Sequence, residues 1–198
     1  MDVDRVNQVN VGQNPPGHYQ YVNLIRVDKL QPSDIHIKDI AHNLSLINRF
    51  AGAIPYSVAE HSVIASSVGY LLQSRDFPEL EKIFQLRLLL HDAHEAYIGD
   101  IIKPVQDILG YDFKIRLGEL KRFVDAQIAA AVGLESITNP EVREVDEQLL
   151  NFELAHFFGL NIKTDFPYEI IQHKFQCYPP DEAEELFLAT YKGLTYPD

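Results

Sequence analysis

The chain has 198 residues, enough for one domain with a substantial core and short of what a second full domain needs. It is 46% hydrophobic and carries 29 acidic against 17 basic residues, a formal charge of −12. That balance excludes an intrinsically disordered chain and disfavours a binder of long nucleic acids, and no apolar run reaches the about 20 residues of a membrane span. A small phosphorylated substrate stays compatible with the charge if cationic groups are gathered in a pocket. The single cysteine, Cys177, leaves no internal disulfide and fits a reducing, cytoplasmic setting, and the polar N-terminus lacks the layout of a secretory signal.

In chain order, residues 1–18 read as a flexible arm closed by Asn14-Pro15-Pro16-Gly17, and residues 19–198 as a single domain. Tyr19 to Ile25 is β-prone and predicts a short extended segment. Pro32-Ser33-Asp34 is a turn into a helix from Ile37 to about Phe50, with Ile40, Leu44 and Ile47 on one side. Ser57-Val58-Ala59-Glu60 is a capping-box pattern that starts the next helix. Pro78-Glu79 opens a third, apolar almost all round and therefore expected inside the core, running to a stop at Gly99. Tyr111 to Val132 predicts a long amphipathic helix capped by Gly133, with Leu117, Leu120, Val124 and Ala131 at helical spacing. Two more are expected, from about Glu141 to Phe158 and from about Asp181 to Tyr191. The fold class is all-α.

The apolar helix suddenly carries polar groups in His91-Asp92-Ala93-His94-Glu95-Ala96-Tyr97-Ile98-Gly99-Asp100. Burying such groups without partners is costly, so they call for a metal, a hydrogen-bond network or solvent. Glu95 falls one turn after His91 and three residues after Asp92, so all three can border one site. A His-Asp pair alone is better read as a helix end turning to solvent. His61, one helix earlier, and Asp146 in Val142-Arg143-Glu144-Val145-Asp146 change that balance.

With these residues the sequence resembles the HD-domain phosphohydrolase superfamily, which implies a single helical bundle and His61, His91, Asp92 and Asp146 as ligands of one divalent transition metal ion (Mn, Co, Zn or Fe, with Mg allowed). Asp39-Ile40-Ala41-His42, Asn48-Arg49-Phe50, Ser57 to Ser62 and His91 to Asp100 narrow the resemblance to the branch of bacterial 5′-deoxynucleotidases and related phage hydrolases. About residues 20 to 155 are covered. The resemblance implies an enzyme that hydrolyses phosphate from 2′-deoxynucleotides, either a triphosphate (notably dATP) or a monophosphate, in the cytoplasm (the host's, for a phage protein). It implies Arg49 and Phe50 at phosphate and sugar, and Glu95 and Asp100 as catalytic groups beside Arg49. It also implies a homo-oligomer with no membrane or nucleic-acid partner.

Those roles are chemically sensible. A guanidinium presents a planar fork for phosphate oxygens, and a carboxylate such as Glu95 can accept the proton of an attacking water. Asp100 suits a sugar hydroxyl or the water network, and a flat Phe50 restricts space at the sugar 2′ carbon. The sequence departs from the branch at Gln106, where a lysine is expected, and Lys103 is the candidate substitute for substrate binding. Lys114, Arg116, Lys121 and Arg122 form a further basic cluster, read as a solvated helix face in preference to a polyphosphate contact. His42 divides evenly between a partner of the site and a core histidine. His94 reads as peripheral, and His156 and His173 as structural or exposed. The competing readings are an HD-type phosphodiesterase or guanosine-polyphosphate hydrolase, and a non-catalytic nucleotide or metal sensor.

Overall fold

A computed structural model describes residues 27–72, 78–162 and 174–195. Among these residues the chain is all-α, a helical bundle with one isolated antiparallel bridge between Asn48 and Ser57. The expected arm at 1–18, the extended segment at Tyr19 to Ile25, and His173 lie outside the described residues. No described helix is long and apolar enough to cross a membrane.

Helix α1 (Ile37–Leu46) buries Ile40, Ala41 and Leu44 and stops four residues before the expected end. Ile47 turns to extended backbone, which lets the amide of Arg49 donate to the carbonyl of Tyr56 at 2.9 Å. Phe50 and Ala51 then adopt positive φ values of 55° and 54°, a left-handed step that no helix can continue through. Arg49 and Phe50 consequently sit in a tight loop and not on a helix face. Helix α2 (Val58–Leu72) begins as the capping pattern predicts, with Ser57 Oγ accepting the Glu60 amide at 3.1 Å. The other half of the box is absent. Glu60 instead accepts the amides of Gln176, Cys177 and Tyr178 at 2.8–3.0 Å, stapling a distant segment over the start of α2.

Helix α3 (Pro78–Leu90) ends in three fully buried leucines, Leu88, Leu89 and Leu90, each worth about 1.5–3 kcal/mol on burial. The expected single helix to Gly99 is broken after Leu90. Residues 91–94 are turns, and the amides of Ala93, Glu95, Ala96 and Tyr97 reach back three residues, as in Glu95 to the Asp92 carbonyl at 2.9 Å. This tighter winding turns successive side chains apart faster than an α-helix does, and the short α4 (Glu95–Ile98) follows. Gly99, at φ 77°, ends it.

Helix α5 (Lys103–Leu109) follows, with Pro104 in its first turn, where no amide is required. Helix α6 (Tyr111–Val132) matches its predicted bounds and is closed by Gly133 in the left-handed region. Its buried positions are Leu117, Val124, Ile128 and Ala129, whereas the expected Ala131 is exposed. Helix α7 (Pro140–Phe158) is capped by Asn139, whose side chain accepts the Val142 amide at 2.8 Å, and α8 (Pro180–Thr195) closes the bundle. Helix α2 packs on α1, α3, α7 and α8 and is the shared neighbour of those four. Two apolar clusters meet along it: Val58 and Ala59 join Leu89, Leu90, Val124 and Phe187, while Ile64 and Ala65 join Leu88, Leu149 and Phe152. His61 lies between those two sets.

Candidate functional site

The joint between the two cores is polar. One turn of α2 delivers His61, the turn just after α3 delivers His91 and Asp92, and the second turn of α7 delivers Asp146. One donor atom from each of the four lies within 4.8 Å of the others. His61 Nε2 is 3.1 Å from His91 Nε2, 3.7 Å from Asp92 Oδ2 and 3.3 Å from Asp146 Oδ1. His91 Nε2 is 3.2 Å from Asp92 Oδ2 and 3.4 Å from Asp146 Oδ1. Both histidines are buried, and the Asp146 side chain, 39% exposed, marks where solvent reaches the cluster.

The donor set fits a cation. Two imidazole nitrogens facing each other at hydrogen-bond distance need a proton or a metal between them. Their far nitrogens are held elsewhere: His61 Nδ1 to Glu153 Oε1 at 2.5 Å, and His91 Nδ1 to the Leu88 carbonyl at 2.7 Å. Such anchoring of the outer nitrogen turns the Nε2 lone pair toward a metal. Burial alone would depress the His91 pKa, but the Asp92 and Asp146 carboxylates outweigh it and hold it well above the ordinary value. Burial would raise Asp92, and His91, His61 and Arg49 together hold it well below the usual carboxylate range. This His/Asp cluster could hold a metal ion.

Glu153 escaped the sequence reading altogether. It is fully buried on α7, two turns after Asp146 and on the same face. Its Oε1 accepts from His61 Nδ1 and from the Tyr56 hydroxyl at 2.9 Å, and its Oε2 accepts from Arg49 Nε at 3.1 Å and Nη2 at 2.9 Å. The available signal was its spacing of seven from Asp146, next to buried Phe152. A glutamate in a helix is so often solvated that the spacing alone does not single it out.

Arg49 completes this side. Its Nη1 faces Asp92 Oδ2 at 3.4 Å, so the loop after α1 brings the guanidinium to the rim of the cluster. Phe50 packs edge-on against Phe158 with ring centroids 5.2 Å apart, and the Arg49 guanidinium lies 5.6 Å from its centre. On the other side stand Glu95, buried, and Asp100, half-buried just past Gly99. An atom each from Asp92, His94 and Glu95 also lie within 4.8 Å of one another. Burial first, then the charges of Asp92 and Asp100, push the Glu95 carboxyl up to about 9. Burial likewise raises Asp100, although Arg49 opposes it.

Other expected residues go elsewhere. Lys103 is exposed at the start of α5, where its charge acts on Asp107, so it is not among the groups gathered here. Gln106 donates to the carbonyl of Ile101 on its own side of α5. Within the basic cluster, Lys114 pairs with Asp107, Arg116 and Arg122 are exposed, and Lys121 is half-buried. His94 is not peripheral: it is buried, with Nδ1 3.0 Å from Asp125 Oδ1 on α6. His42 meets Glu184 of α8 at 2.8 Å and serves the bundle. His156 is half-buried with its ring against Phe157 and Phe175. The Cys177 thiol is pushed up by burial and by Glu60, which gives it no nucleophilic activation.

The chain is 41% identical, over 187 residues, to the uncharacterized protein RCAP_rcc00048 of Rhodobacter capsulatus, a match spanning 85% of this chain and 91% of that protein. The chain belongs to that protein's family. It is also similar to the uncharacterized protein YfdR of Escherichia coli, 35% identical over 128 residues, 64% of this chain and 63% of YfdR. No family model matches the chain.

Proposed function

We propose that the chain is a metal-dependent phosphohydrolase of the HD-domain type, acting on the phosphate of a 2′-deoxynucleotide. The observation that carries this reading is the convergence of His61, His91, Asp92 and Asp146 with Arg49 at their rim and Glu95 beside Asp92. Bound at the four donors, a divalent transition ion supplies Lewis acidity at phosphorus and a more acidic water.

The chain's own side chains supply the rest. Arg49, held by Glu153 and aimed at Asp92, binds the phosphate, and its fixed charge needs no reorganisation when substrate arrives. Glu95 accepts the proton of the attacking water. Without an ion nearby, burial and the charges of Asp92 and Asp100 push this carboxyl up to about 9; a cation held at the four donors would offset those charges and favour the ionised form that accepts a proton. Asp100, next along the same wall, orders water or a sugar hydroxyl. Phe50, braced by Phe158, offers a flat apolar face to the sugar, and that favours deoxyribose modestly, since shape alone discriminates a hydroxyl by a few kcal/mol at most. A homo-oligomeric, cytoplasmic enzyme is part of the same reading.

The test is incubation of the Mn- or Co-loaded protein with deoxynucleotide mono- and triphosphates and the matching ribonucleotides. Release of orthophosphate from a monophosphate, or of tripolyphosphate from a triphosphate, identifies the version of the reaction. No release from any nucleotide, with metal bound, would leave the non-catalytic sensor standing instead.

A further inference from the structure

Five acidic side chains border the site with one guanidinium among them, and an ion at the four donors would offset only part of that acidity. Asp92, Asp146, Glu95, Asp100 and Glu153 face Arg49, and Arg49 is already committed: Nε and Nη2 to Glu153, Nη1 toward Asp92. A phosphate arriving here needs a second cation whose donors are not spoken for.

Helix α6 supplies one. Its buried stripe runs Leu117, Val124, Ile128, and position 121 falls on it, four residues after Leu117 and three before Val124. Lys121 therefore stands on the face of α6 turned to the protein, and it is half-buried where its neighbours Arg116 and Arg122 are exposed. The register of that face against the site is fixed one turn later, where Asp125 receives the buried His94 at 3.0 Å, the residue that precedes Glu95. Lys121 lies close enough to Glu95 and Asp100 for its charge to bear on both. It forms no salt bridge with any of the described residues, unlike Lys114 on the outer face, which is paired with Asp107.

We infer that Lys121 is a substrate-binding residue that contacts a phosphate group from the α6 side of the site. The assignment rests on the proposed reading for the phosphate nature of the ligand. The ammonium, on four flexible carbons, reaches over Glu95 and Asp100 as a point charge, a role suited to phosphate oxygens that shift during a reaction.

Calorimetric titration of Mn-loaded protein with orthophosphate and with tripolyphosphate tests this directly. Lys121→Met keeps the apolar stem and is expected to weaken binding about tenfold or more, with Mn stoichiometry and Tm unchanged and with partial recovery in Lys121→Arg. Loss for both anions places the contact on the reacting phosphate; loss for tripolyphosphate alone places it farther along the chain. The exposed neighbour variant Arg122→Met should match the wild type. Unchanged binding in Lys121→Met, loss in Lys103→Met instead, or no anion binding by the wild type overturns the assignment. Intact nucleotide hydrolysis with an indifferent Lys121→Met removes this contact and spares the reaction. Lys121-dependent anion binding without hydrolysis of any nucleotide does the reverse.

Discussion

The two walls of the site are built on opposite terms. On the wall formed by α2, the α1–α2 loop and α7, Glu153 answers His61, Tyr56 and Arg49. On the wall formed by the turn after α3 and by α4, Glu95 Oε2 and His94 Nε2 are buried with no hydrogen-bond partner. An unanswered buried polar atom costs about 1–3 kcal/mol, so the second wall is the one that gains when a ligand arrives. On the first wall the groups around Glu153 answer one another, although Ser62 Oγ on α2 and Gln148 Oε1 on α7 are also buried without a partner; on the second, the unanswered atoms belong to residues grouped with Asp92.

The comparison breaks most visibly at Glu95. Glu95→Gln should lower the proposed nucleotide hydrolysis roughly 100- to 10,000-fold while leaving Tm equal or higher, because near neutral pH folding must protonate a carboxyl raised to about 9 and a glutamine carries no such cost. Its pH behaviour sharpens the point. A carboxyl raised to about 9 in the folded chain, against about 4.5 unfolded, binds its proton more tightly when folded. Its contribution is therefore present at acid pH and lost as pH rises toward 9. Metal-stripped wild type should lose Tm across that window, and Glu95→Gln should flatten the slope; a parallel slope in both proteins would refute the assignment.

Glu153→Ala attacks the other wall, leaving the buried Arg49 with only its longer contact to Asp92 and the Tyr56 hydroxyl without its acceptor. A loss of about 3–5 kcal/mol is expected by chemical denaturation, with weaker metal binding because His61 is no longer held. Stability within 1 kcal/mol of wild type would show that the network is not what fixes this wall. The smallest effect is expected from Asn139→Ala, which removes the cap of the helix carrying Asp146 and Glu153 and should cost about 1 kcal/mol with hydrolysis retained.

How far these walls could be read beforehand follows from the same contrast. The helices were legible because apolar residues recur at helical spacing, and α6 matched at both ends because Gly133 is an unambiguous stop. The cluster was legible because His91 and Asp92 interrupt an apolar run, and the structure brings His61, Asp146, Arg49 and Glu95 to it. What sequence could not show was the tertiary use of ordinary surface residues. Glu153 and Lys121 look like any glutamate or lysine on a helix, and only the packing of α7 and α6 turns them inward. The breaks after Leu46 and Leu90 were also hidden: the positive φ at Phe50 falls on a residue that is not glycine, and no glycine or proline stands at Leu90.

The staple of Glu60 onto Gln176, Cys177 and Tyr178 has a consequence for how the molecule comes apart. Glu60 is the neighbour of His61, and Tyr178 leads directly into α8, so one side chain ties the root of the last helix to the residue beside a metal-cluster donor. Opening of α8 exposes a buried carboxylate next to the cluster, and filling the cluster resists that opening. The C-terminal helix and the cluster are therefore expected to open together, so that a metal ion at the cluster raises the hydrogen-exchange protection of α8.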